Sequence, residues 1–185
     1  IVWKEPIEVG SGDVFAIQDI VSQTVLDKLE ITFSQQERDR MQADVSSDPL
    51  AYEYYLRAVS QPRTVEGNEL AVDLLDQSLA LDSTYAPAWS QLGFRRYSLG
   101  LFGMGGSDVS RSAEEAFVRA LELNPELISA ISDISTDYTD GGRTDEAYEL
   151  AQRAIDINPK NAMGHFARGY VLRYAGMIEE SARDM

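Results

Sequence analysis

The stretch Ala86-Pro87-Ala88-Trp89-Ser90-Gln91-Leu92-Gly93, read with its continuation Ala113-Glu114-Glu115-Ala116-Phe117-Val118-Arg119-Ala120-Leu121-Glu122-Leu123-Asn124-Pro125, decides the fold. Ala113, Phe117, Ala120 and Leu121 share one helical face, while Arg111, Glu114, Arg119 and Glu122 mostly occupy the other. Gly93 and Ala113 let two helices approach closely, Trp89 and Phe117 fill the space beside them, and Ala120 leaves room for the next pair. The same order recurs along the chain. Leu81-Asp82-Ser83, Leu123-Asn124-Pro125 and Ile157-Asn158-Pro159 each close a helical pattern, at spacings of 42 and 34 residues. Ala71, Ala113 and Ala147 repeat those two spacings, and so do Ser78, Ala120 and Ala154. Three landmarks in one register define an internal repeat of helix pairs.

Trp89-x-x-Leu92-Gly93 followed by Ala113-x-x-x-Phe117, Ala120 and Pro125 resembles the tetratricopeptide repeat pattern. The resemblance covers about residues 48 to 185 and implies an all-α superhelix of antiparallel helix pairs. Its units run about 48–85, 86–127, 128–161 and 162–185, the last incomplete. The third keeps Ile131, Ile134, Tyr138, Gly142, Ala147, Ala154 and Pro159, and the fourth carries Gly169 and Gly176 in register. The first is degenerate, with Tyr54, Ala58, Ala71, Leu75 and Ser78 at the patterned positions. Asp48-Pro49 opens the array, Asp48 as helix cap and Pro49 in the first turn.

Residues 1–47 do not fit the repeat. Ile1-Val2-Trp3 and Ile7-Glu8-Val9 read as a short extended remnant ended by Gly10-Ser11-Gly12. Val14, Ile17, Val21 and Val25 then mark an amphipathic helix, and Ser34-Gln35-Gln36-Glu37 matches a capping box for a second. Val14-Phe15-Ala16-Ile17-Gln18-Asp19-Ile20 and Ala51-Tyr52-Glu53-Tyr54-Tyr55-Leu56-Arg57 resemble the junction of bacterial proteins in which a TolB-like α/β domain precedes tetratricopeptide repeats. In such proteins a nucleotide cyclase, kinase or winged-helix regulatory domain usually stands upstream. That resemblance implies membership of a larger signalling chain, of which this is a fragment; the alternative is a plain amphipathic helix capping the solenoid.

The chain has 185 residues, 44% of them hydrophobic, enough for one domain or a short repeat array. No run approaches eighteen apolar residues, so no membrane insertion is expected, and a cytoplasmic location follows as the default expectation. The absence of Cys and the single His exclude disulfides, thiol nucleophiles and multi-His metal sites. A net charge of −15 disfavours nucleic acid as a partner.

Few constellations invite chemistry. Gly100, Gly103, Gly105 and Gly106 lack the strand and the Lys-Ser/Thr of a phosphate loop. They fall in the eight residues by which the second unit exceeds the third, and Leu101, Phe102 and Met104 make this 99–106 insertion a candidate contact loop, unless Phe102 folds back on its own repeats. Asp133, Asp137, Asp140 and Asp145-Glu146 lack the order of a calcium loop and read as a charged, solvated helical face. His165 reads as packing, and no Ser sits in a nucleophile-elbow context. The reading is a non-enzymatic chain with no cofactor and no metal, although the parent protein can itself be an enzyme.

In a tetratricopeptide solenoid the first helix of each unit lines the concave surface. Mapping that face onto this register selects Tyr52, Tyr55 and Val59, then Ser90, Phe94 and Tyr97, then Ser129, Ser132 and Thr136, and finally Met163, Phe166, Tyr170 and Arg173. The Lys, Asn and Arg with which some relatives clamp a peptide carboxylate are missing from nearly every matching position. Aromatic anchors among small hydroxyls suit an apolar helix or extended segment. Some of these aromatics can equally serve inter-repeat packing or cover the amino-terminal helix. The expected function is a protein-interaction scaffold with a peptide-binding groove. The alternative is an intramolecular regulatory segment of a cyclase, kinase or transcription regulator, and the incomplete fourth unit offers a surface for homodimerisation.

Overall fold

A computed structural model of the chain describes residues 45–103 and 106–184, and the expected strand remnant and helices before residue 45 lie outside them. The described residues form eight α-helices and no strand: α1 (Pro49–Val59), α2 (Val65–Leu81), α3 (Ala86–Leu101), α4 (Gly106–Leu123), α5 (Ile128–Asp140), α6 (Thr144–Ile157), α7 (Ala162–Tyr174) and α8 (Ile178–Asp184). Consecutive helices pair, and each pair stacks on the next through α2 on α3, α4 on α5 and α6 on α7. Stacking of this kind buries a continuous core that no single pair could bury alone.

Local chemistry sets the boundaries. Asp48 Oδ1 accepts from the backbone amides of Leu50 and Ala51 at 2.8 and 3.0 Å, capping α1, and Pro49 occupies the first turn. Asn161 caps α7 in the same way, accepting from the amides of Met163 and Gly164. Gly142 and Gly176 take φ of 78° and 80° where α5 and α7 end, a left-handed conformation that lets the chain reverse within two residues.

The small residues named from the sequence do sit at the joints. Ala71, Ala113, Ala120, Ala147 and Ala154 are fully buried, as is Phe117. A Cβ on Gly93 would meet the Phe117 ring at 2.6 Å, so only glycine admits the ring against the α3 backbone. Gly164 plays the same part between repeats, where a Cβ would lie 3.2 Å from Ala154 Cβ.

The second unit departs from the sequence expectation in one respect. The extra residues do not form a loop over 99–106: α3 runs on to Leu101, α4 begins at Gly106, and both helices are longer than their counterparts in the next unit, 16 and 18 residues against 13 and 14. Gly100 tolerates helix well enough that the hydrogen-bonded ladder continues through it, and the reversal falls at Gly103 with φ 74°.

Candidate functional site

Helices α3, α5 and α7 lie side by side, so their register-matched residues make one surface. Ser90 Oγ meets Ser129 Oγ at 3.1 Å across α3 and α5. Farther along, Tyr97 donates its hydroxyl to Asp140 Oδ2 at 2.5 Å, and Tyr170 donates to Asp140 Oδ1 at 2.7 Å. One carboxylate therefore ties the three helices together. Phe166, Tyr170 and Tyr174 continue the surface as an aromatic row with ring centres 6.0 and 4.8 Å apart. Burial together with Asp140 holds the Tyr97 and Tyr170 hydroxyls well above the usual phenol range, so both are donors.

The sequence-selected residues are not equivalent in three dimensions. Tyr52 is buried, stacked on Tyr55 and set edge-on to Tyr85 in the core between α1, α2 and α3. Phe94 is half-buried, and the Arg63 guanidinium lies 4.9 Å from its ring centre. Ser132 is 3% exposed, and its Oγ has no hydrogen-bond partner among the described residues. Thr136 turns its hydroxyl to the Ser132 carbonyl at 3.0 Å. Val59, Met163, Phe166 and Arg173 are exposed. Leu101 and Phe102, at the end of α3, are 64% and 54% exposed, so Phe102 is not folded onto its repeats; Met104 lies outside the described residues.

Sequence reasoning missed the acids on this face. Asp133, Asp137 and Asp140 were expected as a solvated stripe, yet Asp133 and Asp137 are half-buried in the seam between α3 and α5. Burial pushes the Asp133 carboxyl up to about 7, against the opposing pull of Arg63. Asp137 is raised to about 6, first by burial and then by Glu114 and Asp140, with Arg143 opposing. The helical spacing of 133, 137 and 140 was visible; what could not be read was that α3 would crowd that side. Among the described residues no group of three or more His, Asp or Glu side chains is placed to hold a metal ion.

The other titratable clusters tie helices together. Arg143 donates to Glu114 Oε1 at 2.7 Å, stacks 3.4 Å over the Tyr138 ring and pairs with Glu146, joining α4, α5 and α6. Tyr138 donates to the same Glu114 oxygen at 2.8 Å. Hydrogen bonds from Arg143 and Tyr138 hold the Glu114 carboxyl below the usual carboxylate range. His165 sits between Asp184 Oδ1 and the Pro159 carbonyl at 3.2 and 2.9 Å, while Arg168 grips both Asp184 oxygens.

No protein-family model matches the chain. The chain is 27% identical to "Putative adenylate cyclase 3" of Rhizobium meliloti (strain 1021) over 190 residues, which cover 97% of this chain and 26% of that protein. It thus spans about a quarter of the length of the curated relative it matches. Among solved structures, that of MamA superposes with TM-score 0.50 at 22% identity, over 83% of this chain and 92% of MamA. The MamA RS-1 ArsTM double mutant superposes with TM-score 0.53 at 14% identity, over 75% of this chain and 73% of the mutant. YrrB, a TPR protein with an unusual peptide-binding site, matches over 72% of this chain at TM-score 0.36, too loosely to carry its site across. The described residues, with their paired helices, their small-residue joints and the MamA likeness, form a tetratricopeptide-repeat superhelix.

Proposed function

We propose that this chain is a non-catalytic protein-interaction module that holds a peptide or helix along α3, α5 and α7. The observation that carries this reading is the set of part-exposed aromatics Phe94 and Tyr97 on α3 and Phe166 and Tyr170 on α7, on either side of α5, with Phe166 54% exposed. Such rings supply contact area at low entropic cost, and apolar surface of this kind is usually covered by a partner. Tyr55, Ser90, Ser132, Thr136 and Arg173 complete the proposed lining, with Tyr52 as its buried support. Leu101, Phe102 and Met104 form a second proposed contact, and dimerisation would use the fourth unit. No helix of the described residues is long and apolar enough to cross a membrane; placing the module in the cytoplasm is part of this proposal.

The test is photo-crosslinking from position 166 in the full-length parent protein, with and without Phe94→Ala plus Tyr170→Ala. Crosslinks that vanish in the double variant support the groove; an unchanged set removes it.

A second reading is favoured by the match across nearly the whole chain to part of a larger cyclase-named protein. There the groove receives another domain of the same polypeptide and regulates it. Deleting residues 48–185 from the parent separates the two: a changed intrinsic turnover supports intramolecular regulation, and an unchanged one supports a scaffold.

A further inference from the structure

We propose that the occupant of this groove is a cationic segment that places a Lys or Arg side chain at Asp133, beside Phe94. The proposal rests on the groove reading above and specifies the chemistry of its ligand. Asp133 is half-buried on α5, one turn beyond the Ser129 that meets Ser90 of α3, and no hydrogen bond or ion pair from the described residues reaches its carboxylate. Arg63, held in the α1–α2 turn over the Phe94 ring, is the cation that acts on it. Any segment laid along the groove covers Asp133 further. Removing water from a carboxylate is costly unless the covering group donates to it. An apolar or acidic segment leaves that cost unmet, whereas a guanidinium or ammonium removes it and also finds the face of Phe94 for a cation–π contact.

A second, independent observation comes from the preceding residue. Ser132 Oγ is buried on the same face and has no hydrogen-bond partner among the described residues, although Ser90, its counterpart one unit earlier, is paired with Ser129. A segment seated here can supply the missing partner from its main chain once the Ser132 hydroxyl rotates out to meet it. The charge balance agrees: the chain carries −15 overall, and beside the proposed lining the three carboxyls of Asp133, Asp137 and Asp140 outnumber the cations Arg63 and Arg173. A metal ion is a poorer occupant, since no three ligating side chains converge among the described residues.

The test measures binding of fluorescein-labelled (Arg-Leu)5 to the 185-residue chain by anisotropy, with (citrulline-Leu)5 and (Glu-Leu)5 as comparison peptides. Asp133→Asn is isosteric, and circular dichroism checks its fold. It is expected to weaken (Arg-Leu)5 about tenfold, and Arg63→Ala to tighten it about threefold by removing a competing cation. Glu69→Gln plus Glu149→Gln, which removes exposed charges from the outer helices α2 and α6, is expected to change binding by less than about twofold. Equal losses in the Asp133 variant and this outer pair mean attraction by net charge alone and overturn the proposal. Equal binding of the citrulline peptide, still sensitive to Phe94→Ala, overturns the cation site and leaves the groove standing. Insensitivity of all three peptides to Phe94→Ala, or no binding at all, overturns both.

Discussion

Arg95 reaches from α3 into the turn between α1 and α2 and donates to Asn68 Oδ1 at 2.9 Å. Its other contacts within 3.2 Å are the carbonyls of Ala58, Val59 and Gln61 at 3.0–3.2 Å, with the Pro62 carbonyl farther off at 3.5 Å, so one guanidinium satisfies the open end of α1 and fixes the turn that carries Arg63. The side chain is only 3% exposed. The two terminal nitrogens alone fan their donors over the cluster, with Nε left without a partner among the described residues, and no carboxylate is required. Arg95→Ala strands these acceptors in the interior and is expected to cost roughly 3–5 kcal/mol in urea unfolding. Arg95→Lys should recover only a minor part, because a point charge cannot reach four acceptors at once. A loss under about 1 kcal/mol for the alanine variant would mean that water takes over the carbonyls.

The third and fourth units close their hairpins with the same hydrogen bond drawn in opposite directions. Ser135 on α5 donates to the Ala147 carbonyl on α6 at 2.7 Å, and Ser181 on α8 donates to the Gly169 carbonyl on α7 at 2.7 Å. Position 181 stands where 147 stands one unit earlier, and 169 where 135 stands, so the hydroxyl has moved across the joint while the contact is kept. Ser135→Ala and Ser181→Ala should each cost about 1 kcal/mol. Because neighbouring units couple only through their interfaces, Ser181→Ala should fray α8 first. Hydrogen exchange resolved by helix reads this out: protection lost evenly across the array would contradict independent joints.

Gly93 packs directly against the Phe117 ring across the α3–α4 joint. A methyl at 93 would press into a fully buried ring at 2.6 Å, so Gly93→Ala should cost about 1–3 kcal/mol even though alanine favours helix. Phe117→Ala removes the ring and should cost about 3–5 kcal/mol. Combining them should cost less than the sum, since the methyl then enters the vacated space. Simple additivity in thermal melts would show that the two residues do not share that space.

The repeat was legible because its physics is local. A small residue must recur wherever two helices touch, and Ala71, Ala113 and Ala147 keep that rule at the spacing of the units. The aromatic side of the face that α3, α5 and α7 share was legible for the same reason, since the positions of Phe94, Phe166 and Tyr170 on their helices follow from register alone. Its acidic side was not. Whether Asp133 faces water or protein depends on where α3 lies across from it, and no spacing within α5 contains that information. Arg95 was hidden likewise: an arginine beside Arg96 in mid-helix reads as surface, and only the fold of the preceding turn supplies its carbonyls. The insertion was visible as a length, but its division between α3 and α4 depends on how far each helix finds packing.

Asp133 and Asp137 also predict how stability responds to pH. Both carboxyls are raised above their unfolded value of 3.8, to about 7 and about 6, so between pH 4 and 7 the folded chain binds more protons than the unfolded one. Stability must then fall as pH rises through that window. The groups facing them are Arg63 from the α1–α2 turn, Glu114 from α4, Arg143 from the α5–α6 turn and Asp140 from their own helix. His165, raised by the Pro159 carbonyl and Asp184, contributes a slope of the same sign. Glu114, Asp82 and Asp184 are lowered, so their contributions are lost only as pH falls through the acid end. The difference between the native chain and Asp133→Asn isolates the first group. The variant should release about one proton fewer on unfolding near pH 5, a difference that fades as pH rises past 7, and be the more stable of the two at pH 8. Parallel stability curves for the two chains would mean that Asp133 is ionised and solvated throughout, and would remove the desolvated carboxylate on which the proposed cation recognition depends.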